Sequence, residues 1–262
     1  MVGSLRRTLV ALLYGAICHS VFGLAALIMA ISLATGLSWS FGTVSWPWAI
    51  FANLILIAQF PLLHSWLLTQ RGRRILGYFA PFGYGATLTT TTYAIIASLQ
   101  LLVLFVLWTP SDILIWQPKG IALIIHSCLF ALSWMMLGKA VFDMSFQLQS
   151  GALGWIALVR NKQPEYPDMP ETGLFKYIRQ PIYLAFALIL WTGPIWTLDK
   201  LILASLWGGY CFVAPIFKER RQRQYYGERF DAYVTKTGYW LPRTRFSEEK
   251  NTRAPNDHVE SV

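Results

Sequence analysis

Charged, aromatic and helix-starting residues able to hold a small charged ligand are concentrated between Gly173 and Pro242 of this chain. The stretch opens as Gly173-Leu174-Phe175-Lys176-Tyr177-Ile178-Arg179-Gln180-Pro181-Ile182-Tyr183. After a long apolar interval it resumes with Lys218-Glu219-Arg220 and then Gly227-Glu228-Arg229-Phe230-Asp231-Ala232-Tyr233. Pro181 suits the first turn of a helix, where its missing N–H costs nothing. A helix starting there leaves backbone N–H groups without partners, and such an end draws a carboxylate or phosphate. If the apolar interval folds as a hairpin, Glu219 and Arg220 return to the neighbourhood of Arg179, so that opposite charges and a helix N-terminus converge. The flanking Arg221 and Arg223 read as a solvated or headgroup-facing surface.

Other polar residues lie inside apolar runs. His64, next to Ser65, falls near the same end of its run as the charged cluster, whereas His19 and His126 sit at other depths. Hydrogen bonding within a helix bundle accounts for His19 and His126, with a bis-His haem site as the alternative reading. Cys18, Cys128 and Cys211 show neither CxxC nor metal-ligand spacing and read as small buried hydrophobes. No metal site is expected. Asp143 stands four positions after Lys139 and can pair with it on one helix face. The run Thr87-Leu88-Thr89-Thr90-Thr91-Thr92-Tyr93 can bond back to its own helix through its hydroxyls.

The elements that must carry these residues are membrane helices. Of 262 residues, 55% are hydrophobic and only 13% charged, roughly half the charge that covers a soluble globule. A hydrocarbon core of about 30 Å needs about 20 apolar residues per crossing. Thr8 to Ala34, Pro47 to Leu68, Thr87 to Trp108 and Gly120 to Phe142 each supply a span. The region Pro181 to Phe217 supplies a hairpin with arms Pro181 to Trp196 and Leu201 to Phe217, turning at Thr197-Leu198-Asp199-Lys200. The fold class is thus an all-α polytopic membrane bundle of about six spans. Arg6, Arg7, Arg71, Arg73, Arg74, Arg160, Lys162, Lys176 and Arg179 fall in alternate connections, with only Lys119 and Lys200 on the other side. That asymmetry places both termini and the charged cluster in the cytoplasm. The net charge of +9 then reflects topology, and nucleic acid is not an expected partner, whereas membrane lipids are. Residues 1–243 read as one membrane domain and residues 244–262 as a polar, disordered tail.

The cluster resembles the C-terminal signature of the integral-membrane methyltransferases related to isoprenylcysteine carboxyl methyltransferase: Arg-His-Pro-x-Tyr, a hairpin, Glu-Glu and Gly-x-x-Tyr-x-x-Tyr. A longer resemblance, from about Phe51 through His64-Ser65 and Trp108 to Pro242, is to the membrane-bound methanethiol S-methyltransferases. The resemblance implies that Arg179, Gln180, Pro181, Tyr183, Glu219 and Tyr233 line a cytoplasm-facing pocket for S-adenosylmethionine. It also makes His64 and Arg179 the candidates for chemistry on the acceptor. Such a cofactor offers a carboxylate to a cation, an ammonium and hydroxyls to a carboxylate, and a sulfonium and adenine to aromatic faces. Three positions depart from the signature: Gln180 stands for His, Lys218 for the first Glu and Phe230 for the first Tyr. Gln180 still donates and accepts but carries no charge, and Lys218 reverses a sign. Tyr183, Tyr225, Tyr226 and Tyr233 also fit an interfacial aromatic belt.

The implied acceptor is small and apolar, a thiol by preference, in a bacterial inner membrane. A lipid or isoprenoid-linked acceptor is the alternative within the enzyme class. A non-catalytic accessory protein on the same fold, related to nitrite and nitric oxide reductase-associated membrane proteins, is the alternative outside it. Nothing in the sequence sets an oligomeric state.

Overall fold

The structure, a computed structural model, describes residues 2–243; Met1 and the segment 244–262, read above as a tail, lie outside the described residues. Apolar runs of membrane-spanning length can satisfy their backbone N–H and C=O groups in hydrocarbon only as helices. The chain accordingly forms α1 (Val2–Ala34), α2 (Trp48–Leu67), α3 (Gln70–Tyr78), α4 (Gly85–Leu107), α5 (Gly120–Gln149), α6 (Ala152–Val159), α7 (Pro181–Thr192), α8 (Leu198–Tyr226) and α9 (Glu228–Lys236). Two short strands, β1 (Leu114–Trp116) and β2 (Trp196–Thr197), pair antiparallel.

Five helices, α1, α2, α4, α5 and α8, are long and apolar enough to cross a membrane. They leave Leu12, Leu24, Ile55, Ile124 and Phe212 largely exposed, a surface that suits lipid tails and not water. The chain is a polytopic membrane bundle. Inside it, α1 lies along α4, and α7 packs against both α5 and α8. Leu33, Leu104, Trp108, Ile189, Leu203 and Trp207 belong to its main buried cluster.

The connections hold more structure than the sequence suggested. The basic segment after α2 contains α3, capped by Thr69, whose Oγ1 accepts from Gly72 N at 3.2 Å. Helix α6 docks on α1 and α4; a Cβ at Gly154 would stand 2.6 Å from Thr91 Oγ1, so only glycine permits the approach. The threonines of α4 divide their roles accordingly. Thr89 and Thr92 donate back to Gly85 O and Leu88 O at 2.7 and 3.0 Å, as expected. Thr91 reaches across instead, donating to Gly151 O at 2.7 Å and accepting from Trp155 N at 3.0 Å.

The hairpin differs most from expectation. Its first arm is helical only to Thr192: α7 has 12 residues, a rise of about 18 Å, because Pro194 cannot donate within a helix and disfavours helical geometry at Gly193. The five residues from Gly193 to Thr197 continue in non-helical form, ending in β2, which meets β1 in the α4–α5 connection. The arm therefore reaches the far end of the bundle partly as helix and partly as extended chain. Thr197 to Lys200, expected as the turn, instead begins α8. Thr197 Oγ1 accepts from Lys200 N at 3.2 Å, an N-cap that a Thr followed by an early acidic residue favours. Asp199 is buried and accepts from Trp108 Nε1 at 3.1 Å, Ser111 N at 2.9 Å and Ser111 Oγ at 2.6 Å. Lys200, fully buried, donates to Ile195 O at 3.1 Å and lies 4.7 Å from the centre of the Trp196 ring.

Candidate functional site

At the opposite end of the bundle, three elements bring the charged cluster together. Gln180 precedes α7 and Pro181 occupies its first turn, as the sequence required. The segment before α7 is held to the segment after α9 by Arg179 N donating to Gly238 O at 2.8 Å. Further upstream, Asp143 of α5 accepts from Leu174 N at 2.8 Å and pairs with Lys139, the spacing of four predicted above. Gly173 adopts φ +60°, and a Cβ there would collide with the Asp143 carboxylate. The glycine is thus what allows α5 to anchor the motif.

The centre of the cluster is Glu219. Its Oε1 accepts from Arg179 Nε at 2.9 Å and from Gln180 Nε2 at 2.8 Å, and the Arg179 and Glu219 side chains are only 10% and 12% exposed. Arg179 also donates through Nη1 to Thr237 O at 2.5 Å and Val234 O at 3.3 Å, and its guanidinium lies 5.2 Å from the centre of the Tyr239 ring. On the other side of Gln180, its Oε1 accepts from Lys218 Nζ at 3.2 Å. That ammonium stands 5.8 Å from the ring centres of both Phe175 and Tyr183. Gln180, the stand-in for the signature histidine, thereby accepts from Lys218 and donates to Glu219, a role an amide fills without a charge at any pH.

Tyr233, expected at the cofactor pocket, lines a cleft beside α9 and also has a structural bond. Its hydroxyl donates to Phe175 O at 2.6 Å and so braces α9 against the motif. Burial holds its pKa above the ordinary tyrosine value, keeping it a donor. Phe230, which replaces a signature tyrosine, is buried beside it. Tyr239 has a buried hydroxyl with no partner among the described residues, and burial together with nearby Glu219 raises its pKa. A cleft of about 460 Å³ lined by Lys176, Arg229, Tyr233 and Lys236 opens beside α9. Arg229 steadies that edge through Asp168 at 2.6 Å and Glu171 at 2.7 Å, and its hydrogen bond lowers the Asp168 pKa.

His64 lies in a neighbouring polar seam. Its ring stacks on Phe60 at 4.8 Å, and its Nε2 is 2.8 Å from Tyr93 Oη. Tyr93 in turn donates to His64 O at 3.4 Å. Both contacts are satisfied together if Nε2 carries the proton, which leaves Nδ1 a bare acceptor; Nδ1 is buried without a partner among the described residues. Ser65 Oγ is 3.2 Å from Tyr210 Oη. The phenols of Tyr93, Tyr210 and Tyr183 are electrostatic neighbours, so this seam adjoins the Arg179–Glu219 cluster through Tyr183.

The chain is 30% identical to the methanethiol S-methyltransferase of Pseudomonas sp. strain GM41 over 242 residues, 90% of this chain and 91% of the relative. It belongs to the methanethiol S-methyltransferase family. Methanethiol S-methyltransferase 1 of Bradyrhizobium diazoefficiens is 28% identical over 256 residues, covering 94% of this chain and 86% of that one. The Crocosphaera subtropica methanethiol S-methyltransferase is 27% identical over 244 residues, covering 91% and 93%. No family model matches the chain, and no solved structure does. Within this family member, the structure gathers Arg179, Gln180, Pro181, Tyr183 and Glu219 at one site, uses Tyr233 as its brace, and sets His64 in the adjoining seam.

The remaining polar residues have other places. His19 accepts from Trp155 Nε1 at 3.1 Å, and His126 packs edge-on against Trp116 with its Nδ1 unpartnered among the described residues. Tyr93, Tyr239 and the cation at Lys218 were not singled out as site residues. Tyr93 closes a threonine run that reads as structural, and Tyr239 lies in the signature stretch without a motif of its own.

Proposed function

We propose that this protein methylates methanethiol at sulfur, giving dimethyl sulfide, with S-adenosylmethionine as donor and with the site facing the cytoplasm of a bacterial inner membrane. The observation that carries the reading is kinship with methanethiol S-methyltransferases along nine-tenths of both chains. The residues present suit the donor: a half-buried cation at Lys218, a carboxylate whose Oε2 has no partner among the described residues at Glu219, the part-buried ring of Tyr183, and the orphan hydroxyl of Tyr239. When bound, S-adenosylmethionine supplies an electrophilic methyl on a sulfonium, ready for in-line displacement.

The protein's own part is to position, exclude water and move one proton. Glu219 and Tyr239 offer hydrogen bonds to ammonium and hydroxyl groups, and Arg179 fixes the Glu219 rotamer. Methanethiol, apolar and bilayer-soluble, approaches from the lipid side along the Phe60–His64–Tyr93 seam. His64 Nδ1 takes the thiol proton and later releases it to water, while Tyr93 holds the tautomer that keeps Nδ1 free. With the thiol proton held at His64 Nδ1, the chain would present a thiolate in line with the sulfonium–methyl bond that the donor would supply; methyl transfer would give two neutral thioethers, dimethyl sulfide and the demethylated donor.

Membranes containing the protein, supplied with methyl-labelled S-adenosylmethionine and methanethiol, should release labelled dimethyl sulfide into the headspace, and Glu219→Ala membranes should not. Label appearing in extracted lipid instead would assign a lipid acceptor. No transfer and no cofactor binding would refute the enzyme reading.

A further inference from the structure

Resting on that reading, we infer that Lys218 is the anchor for the carboxylate of the methyl donor's amino-acid moiety. The position that the signature gives to a glutamate here bears an ammonium, and the structure shows what surrounds it. Lys218 is half-buried within α8, eight residues before its end at Tyr226, between the rings of Phe175 and Tyr183. Of its three N–H donors, one is used, on Gln180 Oε1 at 3.2 Å, and among the described residues no carboxylate pairs with it. Removing an ammonium even partly from water is costly unless acceptors replace that water, so its unused donors favour a further acceptor.

Arg179, the obvious rival, is already committed. Its Nε serves Glu219, its Nη1 serves two backbone carbonyls, and its face is covered by Tyr239. Lys176 and Lys236 border the nearby cleft but are exposed, where water weakens a point charge. The adjacent Glu219 carries the complementary charge, with Oε2 available for the ammonium of the same moiety. Lys218 and Glu219, consecutive in sequence, thus present a plus and a minus to a zwitterion. The exchange at Gln180 belongs to the same arrangement: an amide can accept from Lys218 and donate to Glu219 at once, whereas an imidazolium would donate to both sides and repel the ammonium.

The test uses purified full-length protein and calorimetric titration with two probes: S-adenosylhomocysteine, and its decarboxylated analogue, which keeps the ammonium and lacks the carboxylate. In the wild type the carboxylate should strengthen binding by about 10- to 100-fold, the range of a charge-assisted hydrogen bond. In Lys218→Met, and in the less disruptive Lys218→Gln, that ratio should collapse toward one, while Lys218→Arg should retain most of it. Calorimetric stoichiometry with the decarboxylated probe counts the folded fraction in each variant. A wild-type ratio kept in Lys218→Met and Lys218→Gln would overturn the role of Lys218 and leave the methyltransferase reading standing. A wild type that binds neither nucleoside would overturn both.

Discussion

Removing Glu219 separates a structural from a chemical role at the centre of the site. Glu219→Ala deletes the acceptor for Arg179 Nε and Gln180 Nε2 together and leaves a guanidinium that is 10% exposed without its partner. Breaking a buried ion pair from one side costs about 3–5 kcal/mol. Arg179 keeps the carbonyls of Thr237 and Val234 and some access to water, so the lower end, about 3 kcal/mol, applies. This cost falls on the docking of α9 and the segment after it, not on the transmembrane core, and about 3 kcal/mol is more than a hundredfold in the population of locally open states. Hydrogen exchange read by mass spectrometry should therefore speed up by about two orders of magnitude over Val234–Gly238 in Glu219→Ala, with little change in α4, and dimethyl sulfide production should vanish. Glu219→Gln retains an Oε1 acceptor for both donors and loses only the charge. It should keep most of the exchange protection yet fail to support turnover, because its Oε2 position becomes an amide donor. Unchanged exchange and unchanged turnover in Glu219→Ala would refute the reasoning that the Arg179–Glu219 pair organises the site.

Further outcomes follow from other contacts. His64→Phe preserves a ring against Phe60 but removes the acceptor at Nδ1; initial rates with methanethiol should fall by about 10²-fold or more, with the deficit narrowing as pH rises and the thiol ionises unaided, and a pH-independent deficit would contradict proton transfer to His64. Tyr93→Phe, which only frees the tautomer, should lose about tenfold in the same assay, less than the roughly 10²–10⁴-fold of a lost general base. Tyr233→Phe should cost about 1–3 kcal/mol by leaving the buried Phe175 carbonyl unpaired, seen as a lower melting temperature in detergent. Burial raises the folded-state pKa of Tyr233 above its ordinary value of 10, so its contribution is complete below pH 10 and lost as pH climbs through the folded value; the alkaline fall in melting temperature should be shallower in Tyr233→Phe than in the wild type.

How far the sequence carried can be judged from individual residues. The membrane class, four long spans and the meeting of Arg179 with Glu219 were legible, because apolar length and helix-starting proline act locally. The pairing of Asp143 with Lys139 was legible for the same reason, being one turn of one helix. Its larger task, holding Leu174 N across the bundle, was not, since nothing in the sequence around Asp143 points to a partner 31 positions on. The roles of Tyr93 toward His64 and of Tyr233 toward Phe175 are likewise tertiary: each residue type was visible, but a phenol in a membrane protein has the same appearance in an interfacial belt as in a hydrogen-bonded brace. Helix α6 stayed hidden because its eight residues are too few for a span and lack the polar pattern of a surface helix. Lys218 was visible only as a mismatch, and the structure is what sets it on Gln180, between the rings of Phe175 and Tyr183.

The misread turn at Thr197 to Lys200 bears on the site from the far end of the bundle. Two adjacent charges in an apolar hairpin look like a loop because exposed charges are the common case. Here Asp199 collects three hydrogen bonds from Trp108 and Ser111 of the α4–α5 connection, and Lys200 binds the carbonyl of Ile195 just after α7. The Asp199 bonds fix the start of α8 to the α4–α5 connection, and the Lys200 bond ties it to the chain leaving α7. Because the segment between Thr192 and Leu198 is short and non-helical, any slip at Asp199 would carry α7 along its axis and move Pro181 and Gln180 away from Glu219. A helix register displaced by one residue moves a side chain by about 1.5 Å along the axis and about 100° around it, enough to break the 2.8 Å bond between Gln180 and Glu219. The buried charges at one end of the hairpin thus set the spacing of the clustered charges at the other.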